Sequence, residues 1–200
     1  VDISPDGRYV LSGGVDSFIL WDILKGKKIQ TFTHISLQDI PIKVVFSPDG
    51  KYFASGGKGA KLWDLATKQK MMTFDDNITR AIAFSPDGKY FLCGGTSNSV
   101  NPFSPKPPTM KIFDVATGGV IRDFKLPPKQ RVSSVAYSPD GKYVLSGGGQ
   151  GIMTLWDTSL GRSIKTVVAS EGFLAHIFAV AFSSDGKYAL SGGHDNSVRL

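Results

Sequence analysis

The sequence predicts an all-β protein built from about five copies of one four-stranded antiparallel sheet. The tetrapeptide Ser-Pro-Asp-Gly occurs four times, and a fifth copy reads Ser-Ser-Asp-Gly; the copies begin at Ser4, Ser47, Ser85, Ser138 and Ser183. In every copy a Gly-Gly pair begins nine residues after that Ser. Self-similarity with a period of roughly 40–45 residues indicates a repeat architecture. No stretch between the copies has the periodicity of a helix.

The fourth copy shows most clearly how each strand arises. Val132–Tyr137 is a short run of β-branched and aromatic residues, which is typical of a strand. Ser138–Gly141 reverses the chain, because Pro presets φ, Ser and Asp bond nearby backbone, and Gly supplies a positive φ. Lys142–Ser146 is the second strand, and the sequence predicts that it stops at the following Gly-Gly pair. Ile152–Trp156 and Ser163–Val167 are the third and fourth strands.

One such sheet cannot bury two apolar faces by itself. Copies stacked around an axis cover both faces, which is the principle of a β-propeller. The expected blades span residues 1–33, 40–75, 78–125, 131–168 and 177–200, within one domain over residues 1–200. Both ends of the sequence fall inside a repeat, so we expect an incomplete ring cut from a longer propeller, with further domains outside this fragment.

Composition narrows the classes of function. The chain is 41% hydrophobic, and no apolar run reaches the length of about 18 residues that a membrane span needs. The net charge is +6, but the cations are dispersed, which favours a solvated surface over one for nucleic acid or acidic lipid. Cys93 is the one cysteine, so no internal disulfide framework exists, and a reducing, cytoplasmic location is favoured.

An aromatic-Asp pair follows the Gly-Gly pair in four copies, as Trp21-Asp22, Trp63-Asp64, Phe113-Asp114 and Trp156-Asp157. Together with the hairpin and the Ser-Gly-Gly strand end, these residues resemble the WD-repeat β-propeller family over essentially the whole chain. The resemblance implies a structural hydrogen-bond network of Ser, Asp and Trp side chains. Its members here would be Ser12, Asp16, Trp21, Ser55, Trp63, Ser146, Trp156, Ser191 and Asp195. The third copy departs from the pattern, with Cys93 for Ser and Phe113 for Trp, and the family's Gly-His pair is absent throughout.

Loop lengths predict which face binds partners. The intervals holding the first-to-second and third-to-fourth strand turns are constant, whereas the other two connections vary among copies. Variable loops on a constant scaffold can carry individual contacts, so we expect protein or peptide partners on that face. The candidate partner-binding residues are Lys58, Phe103, Lys106, Lys129, Arg131, His176 and His194. The Pro-rich insertion 96–109 is either a docking element or a tolerated surface loop.

The sequence carries no pattern typical of catalysis or of cofactor binding. No Ser/His/Asp set, paired carboxylates or phosphate-cradling loop is recognisable, and the three histidines share no metal-ligand spacing with Cys93. We therefore expect a non-catalytic protein-interaction scaffold without metal or cofactor. The alternative is a sensor or regulatory propeller within a multidomain enzyme, such as a bacterial kinase-like or peptidase-like protein.

Overall fold

The structure is a computed structural model that describes residues 1–14, 17–33, 43–74, 78–96, 108–127, 130–172 and 175–200. These residues form twenty strands and no helix. The first two blades contain β1 (Asp2–Ile3), β2 (Tyr9–Gly13), β3 (Ser17–Asp22), β4 (Lys27–Thr33), β5 (Val44–Phe46), β6 (Tyr52–Ser55), β7 (Gly57–Lys58), β8 (Lys61–Asp64) and β9 (Lys70–Thr73). The third and fourth contain β10 (Ile78–Phe84), β11 (Tyr90–Thr96), β12 (Thr109–Asp114), β13 (Val120–Asp123), β14 (Val132–Tyr137), β15 (Tyr143–Gly148), β16 (Ile152–Asp157) and β17 (Ser163–Val168). The fifth contains β18 (Ile177–Phe182), β19 (Ala189–Gly193) and β20 (Val198–Arg199).

The strands pair as five antiparallel meanders, which confirms the predicted all-β class and its four-stranded blade. Blades one, two and four are four-stranded sheets of consecutive strands, apart from the small strand β7. β7 leaves the second blade and pairs with β10, so the third sheet has five strands. The fifth sheet holds three strands, β18-β19-β20.

Each Ser-Pro-Asp-Gly turn is held by the same local bonds. In the fourth blade the Ser138 hydroxyl donates to Asp140 at 2.7 Å and accepts from the Tyr143 amide at 2.9 Å. The Gly141 amide bonds the Ser138 carbonyl, and Gly141 has a φ of +72°. The predicted positive φ is confirmed, and the φ of the other four turn glycines lies between +68° and +71°.

The turns also pack on one another from blade to blade. A Cβ built on Gly141 would lie 3.6 Å from Cδ of Pro86 in the preceding turn. The same Pro-to-Gly contact joins Pro5 to Gly50, Pro48 to Gly88 and Pro139 to Gly186, at 3.7, 3.7 and 3.4 Å. On one face of the molecule, therefore, each of these proline rings packs on the turn glycine of the next blade.

The hydrophobic core lies between neighbouring blades. Phe18 and Phe32 of the first blade pack against Phe53 and Trp63 of the second, with ring centroids 5.1 to 6.0 Å apart across the interface. The main contacts between blades are made by the first strands, which follow one another from β1 to β18. The described strands of the first and fifth blades neither pair nor make one of the main contacts between blades, so the described blades form an open arc, as predicted for an incomplete ring.

Candidate protein-interaction surface

Three first strands carry a β-bulge at the same repeat position. The register of β10 on β11 skips Arg80, that of β14 on β15 skips Ser133, and that of β18 on β19 skips Phe178. Each of these residues lies five positions before the Ser of its hairpin turn. A bulge adds an unpaired residue and re-aims its side chain. The third, fourth and fifth blades thus each present one individual side chain at the inner side of the arc.

The Gly-Gly pairs leave room for the bulged strand and for the next blade. In the third and fourth blades the second glycine of the pair lies too close to a neighbouring backbone to carry a side chain. A Cβ built on Gly95 would lie 1.9 Å from the carbonyl oxygen of Ile78, and one built on Gly148 would lie 1.8 Å from the carbonyl oxygen of Arg131. A Cβ on the first glycine, Gly147, would lie 2.6 Å from Cγ2 of Ile177 in the next blade. The expectation that the pair ends the strand was wrong, because β15 runs through Gly148. Glycine is needed there because the bulged strand and the next blade approach too closely for a larger residue.

The bulged residues line one cavity of about 410 Å³ between the inner strands of three blades. We call it the inner groove, and its lining includes Lys43, Arg80, Ser133, His176 and Phe178. Its charged side chains are cations, and no carboxylate lines it among the described residues. Phe178 is 60% exposed on a first strand, between the rings of His176 and His194 at 5.0 and 6.1 Å. The groove therefore offers an uncovered aromatic ring in a positive surrounding.

His176 connects the fourth and fifth blades across this groove. Its Nε2 lies 2.8 Å from the Ser133 hydroxyl, its carbonyl accepts from the His194 amide, and its backbone bridges to Gly149. Burial lowers the pKa of His176, and the nearby positive charges of Arg131, Arg80 and His194 lower it further. Both effects favour the uncharged form of the ring. A carboxylate placed in the groove would favour the protonated ring again.

The predicted partner-binding residues separate into three groups. His176 lines the inner groove, His194 packs beside its Phe178 ring, and Arg131 is close enough to His176 to lower the pKa of that ring. Lys58 lies in β7, opposite Ile78, and does not line the groove. Phe103, Lys106 and Lys129 lie outside the described residues, as does most of the 96–109 insertion.

Sequence reasoning did not identify Lys43, Arg80 or Phe178. The bulged position had a signal, since counting back five residues from the turn residues Ser85, Ser138 and Ser183 gives Arg80, Ser133 and Phe178. These three differ in chemistry, whereas the flanking core positions are uniformly apolar or small. Variation at one position of a repeat that is otherwise uniform would have indicated it.

The structural network is present as pairs of Trp and Ser. In three blades the indole nitrogen of the Trp donates a hydrogen bond to the Ser hydroxyl. The pairs are Trp21 with Ser12 at 2.8 Å, Trp63 with Ser55 at 3.0 Å and Trp156 with Ser146 at 2.8 Å. Trp156 is buried and Trp63 half-buried against the preceding blade. Trp21 is half-buried, and no blade precedes it within the described residues.

The other members of the predicted network have different surroundings. Asp16 lies outside the described residues. The Ser191 hydroxyl is buried and has no partner in the described part of the chain. Asp195 accepts from the Ser197 hydroxyl at 2.7 Å and pairs with Arg199 at 2.9 Å, which lowers its pKa to about 2. Asp195 therefore organises the turn between β19 and β20.

The described residues contain neither a metal-binding cluster nor a membrane-spanning helix. No group of three or more His, Cys, Asp or Glu side chains could hold a metal ion. No helix there has the length and apolarity required to traverse a bilayer.

Known proteins resemble this chain in sequence. The profile of the family described as "WD domain, G-beta repeat" matches residues 1–22, 26–64, 68–101, 118–157 and 165–200. Protein tipD of Dictyostelium discoideum is 27% identical over 165 residues, which are 79% of this chain and 26% of tipD. WD repeat-containing protein 18 of Danio rerio is 35% identical over 66 residues, which are 32% of this chain and 15% of that protein. The chain thus spans about a quarter or less of the length of these relatives.

Proposed function

Because this chain belongs to the WD40-repeat family, we propose that it is a non-catalytic scaffold that binds a protein or peptide on its variable face, at the inner groove. WD40 repeats and WD-repeat relatives support a protein-interaction propeller in general. The partner, the groove and a cytoplasmic location are our proposals.

One observation carries the choice of the groove. Bulges at one repeat position direct three chemically different side chains, Arg80, Ser133 and Phe178, into a single cavity. A large exposed aromatic ring on an inner strand serves no core, and aromatic and Arg side chains are enriched among residues that dominate binding energy. Phe178 would anchor an apolar side chain of the partner, and the surrounding cations would attract its carboxylates.

Photo-crosslinking from the groove tests this function. A photoreactive amino acid replaces Phe178 in one variant and Ile164, which is 50% exposed on the outer strand β17, in a matched control. Partners crosslinked from position 178 and absent from position 164 are identified, and their affinity is then measured by calorimetry.

We expect Phe178→Ala to weaken binding of such a partner by about tenfold to a hundredfold, since anchor residues contribute about 2 kcal/mol or more. Ile164→Ala should change the affinity by less than about twofold. A partner captured equally from both positions, or one whose affinity is insensitive to Phe178→Ala and Arg80→Glu, would contradict the proposed surface.

A further inference from the structure

A second concave surface lies on the opposite face, where the Ser-Pro-Asp-Gly turns are. It is a groove of about 790 Å³ between the first and second blades, and we call it the basic cleft. Its walls come from the β1–β2 and β3–β4 turns of one blade and the β5–β6 and β8–β9 turns of the next. Its charged residues are Arg8, Lys25, Lys27, Lys28, Lys51 and Lys68 on the positive side, and Asp22 and Asp64 on the negative side.

The repeat itself accounts for only part of this charge. The corresponding cleft between the third and fourth blades holds about 580 Å³ and is built from equivalent turns. Its charged lining residues are Arg122, Asp87 and Asp140. The positions in the third and fourth blades that correspond to the six cations of the basic cleft hold Lys89, Thr117, Gly119, Val120, Lys142 and Gly161, of which two are cations. Lys25, Lys27, Lys28 and Lys68 are therefore particular to the first two blades.

Both carboxylates of the basic cleft already have partners in the fold. Asp22 accepts from the Lys25 amide at 3.0 Å and lies 3.5 Å from the Arg8 guanidinium. Asp64 accepts from the amide and the hydroxyl of Thr67, at 2.7 and 2.9 Å. Lys25, Lys27 and Lys28 are exposed and form no ion pair with any described residue. Their charge is available to another molecule.

The floor of the basic cleft is apolar. Leu20 is fully buried at its base, Tyr9, Tyr52 and Leu65 are half-buried around it, and Ile29 is 37% exposed at its edge. An apolar floor beneath a cationic rim is complementary to a chain that alternates carboxylates with an apolar side chain. A membrane surface is flat on this scale and would touch the rim without reaching the floor.

We infer that the basic cleft binds an acidic peptide segment of a partner protein, with one apolar side chain of that segment on the floor. The exposed lysines would contact its carboxylates, and Ile29 and Leu65 would cover the apolar group. This surface is separate from the inner groove, so a partner could occupy both faces at once. Either surface can fail its test without affecting the other.

The test uses short fluorescent peptides in which one Leu or Phe is flanked by Glu and Asp. Binding to the protein is followed by anisotropy at physiological ionic strength, beside the same peptides with Gln and Asn in place of the acids. Lys25→Glu, Lys27→Glu and Lys28→Glu are combined in one variant. The matched control combines Lys142→Glu, Lys165→Glu and Lys187→Glu, which changes the net charge equally at exposed sites on other blades.

We expect the acidic peptides to bind, their amide analogues to bind at least about tenfold more weakly, and the cleft variant to lose at least about tenfold in affinity. The control should lose less than about threefold, because charges more than about 8 Å away are screened. Ile29→Gln, which keeps every charge, should also weaken binding if the floor is used.

Three results would overturn the inference. The first is that no acidic peptide binds, and the second is that both triple variants lose affinity equally, which would mean long-range attraction alone. The third is that phosphatidylserine vesicles or single-stranded RNA bind through the cleft lysines in preference to the peptides. Circular dichroism and thermal melting of each variant establish that a loss of binding is not a loss of fold.

Discussion

The third blade changes both partners of the Trp–Ser hydrogen bond together. Where other blades pair an indole with a hydroxyl, it has Phe113 and Cys93, which are 3% and 2% exposed. Leaving one buried polar partner unsatisfied costs about 1–3 kcal/mol, whereas replacing both by apolar groups is nearly neutral. The two substitutions therefore offset each other, because this blade lacks both the indole donor and the hydroxyl acceptor of that bond.

A double-mutant cycle measures this compensation. Phe113→Trp alone buries an indole nitrogen that has no Ser to accept from it, and Cys93→Ser alone buries a hydroxyl that lacks its indole donor. We expect each single change to lower the free energy of unfolding by about 1–3 kcal/mol, and the double change to recover at least about 0.5 kcal/mol relative to their sum. Urea unfolding provides the values. Strictly additive effects would show that the pair does not compensate.

At the scale of the element, the first glycine of each Gly-Gly pair determines how closely the next blade can approach. Gly147 faces Ile177 and Val180 of the fifth blade, with methyl carbons 2.6 and 2.7 Å from where a Cβ would lie. Gly192 holds the same repeat position in the fifth blade, and a Cβ there would meet nothing within 4 Å. The two glycines share a sequence context and differ in whether a blade covers them.

The substitutions Gly147→Ala and Gly192→Ala therefore form a matched pair. We expect Gly147→Ala to lower the free energy of unfolding by about 1–3 kcal/mol, because the added methyl overpacks the interface between blades. Gly192→Ala should be neutral or stabilising by up to about 1 kcal/mol, since alanine loses less backbone entropy on folding. Denaturant unfolding of the two variants and the wild type measures these free energies. Equal effects would mean that the glycine is required by strand geometry and not by its neighbour.

Prediction from sequence succeeded where the determinant lies within a few residues. The hairpin turn was predictable because Ser138, Asp140 and Gly141 bond one another locally. The bulges at Arg80 and Phe178 were not predicted, since a bulge is defined by how many residues the partner strand offers opposite it. Loop variation predicts that Arg131 and His176 lie on the partner-binding face, which stays a prediction, and the position of His176 beside Phe178 and Ser133 depends on contacts that loop lengths do not report.

At the scale of the whole molecule, the arc leaves its last blade uncovered. Leu190 is 41% exposed, whereas Leu11, Leu92 and Leu145, which hold the same repeat position, are at most 2% exposed. Their burial comes from the following blade and not from their own sheet. Each blade therefore depends on its neighbour for stability, and a feature repeated in every blade affects the stability of the whole molecule.

The acid stability of the protein follows from one such repeated feature. A Ser hydroxyl and a backbone amide hold the pKa of Asp6, Asp140 and Asp185 below the usual value of 3.8. At Asp49 and Asp87 partial burial raises the pKa, but the same two hydrogen bonds outweigh it, so the pKa is lowered there as well. A lowered folded pKa gives stability that is present above the unfolded pKa and lost as the pH falls through the folded one.

We expect the free energy of unfolding to decrease steadily as the pH falls from about 5 to about 2. Asp140→Asn should reduce stability at neutral pH and make this decrease shallower. Urea midpoints across the pH range, for the wild type and the variant, provide the comparison. A variant with the same pH dependence as the wild type would show that the turn carboxylates are not responsible.

The stacking of each proline ring on the glycine of the next turn has an evolutionary consequence. Each of the four Ser-Pro-Asp-Gly turns carries a projecting ring on one side and a bare backbone on the other, so such a turn fits both its predecessor and its successor, whereas the fifth copy has Ser184 in place of the proline. Duplication of one gene segment would then add a blade that is compatible with both neighbours at once. Blade number could change in a single event, and selection would act afterwards on the side chains that differ between blades.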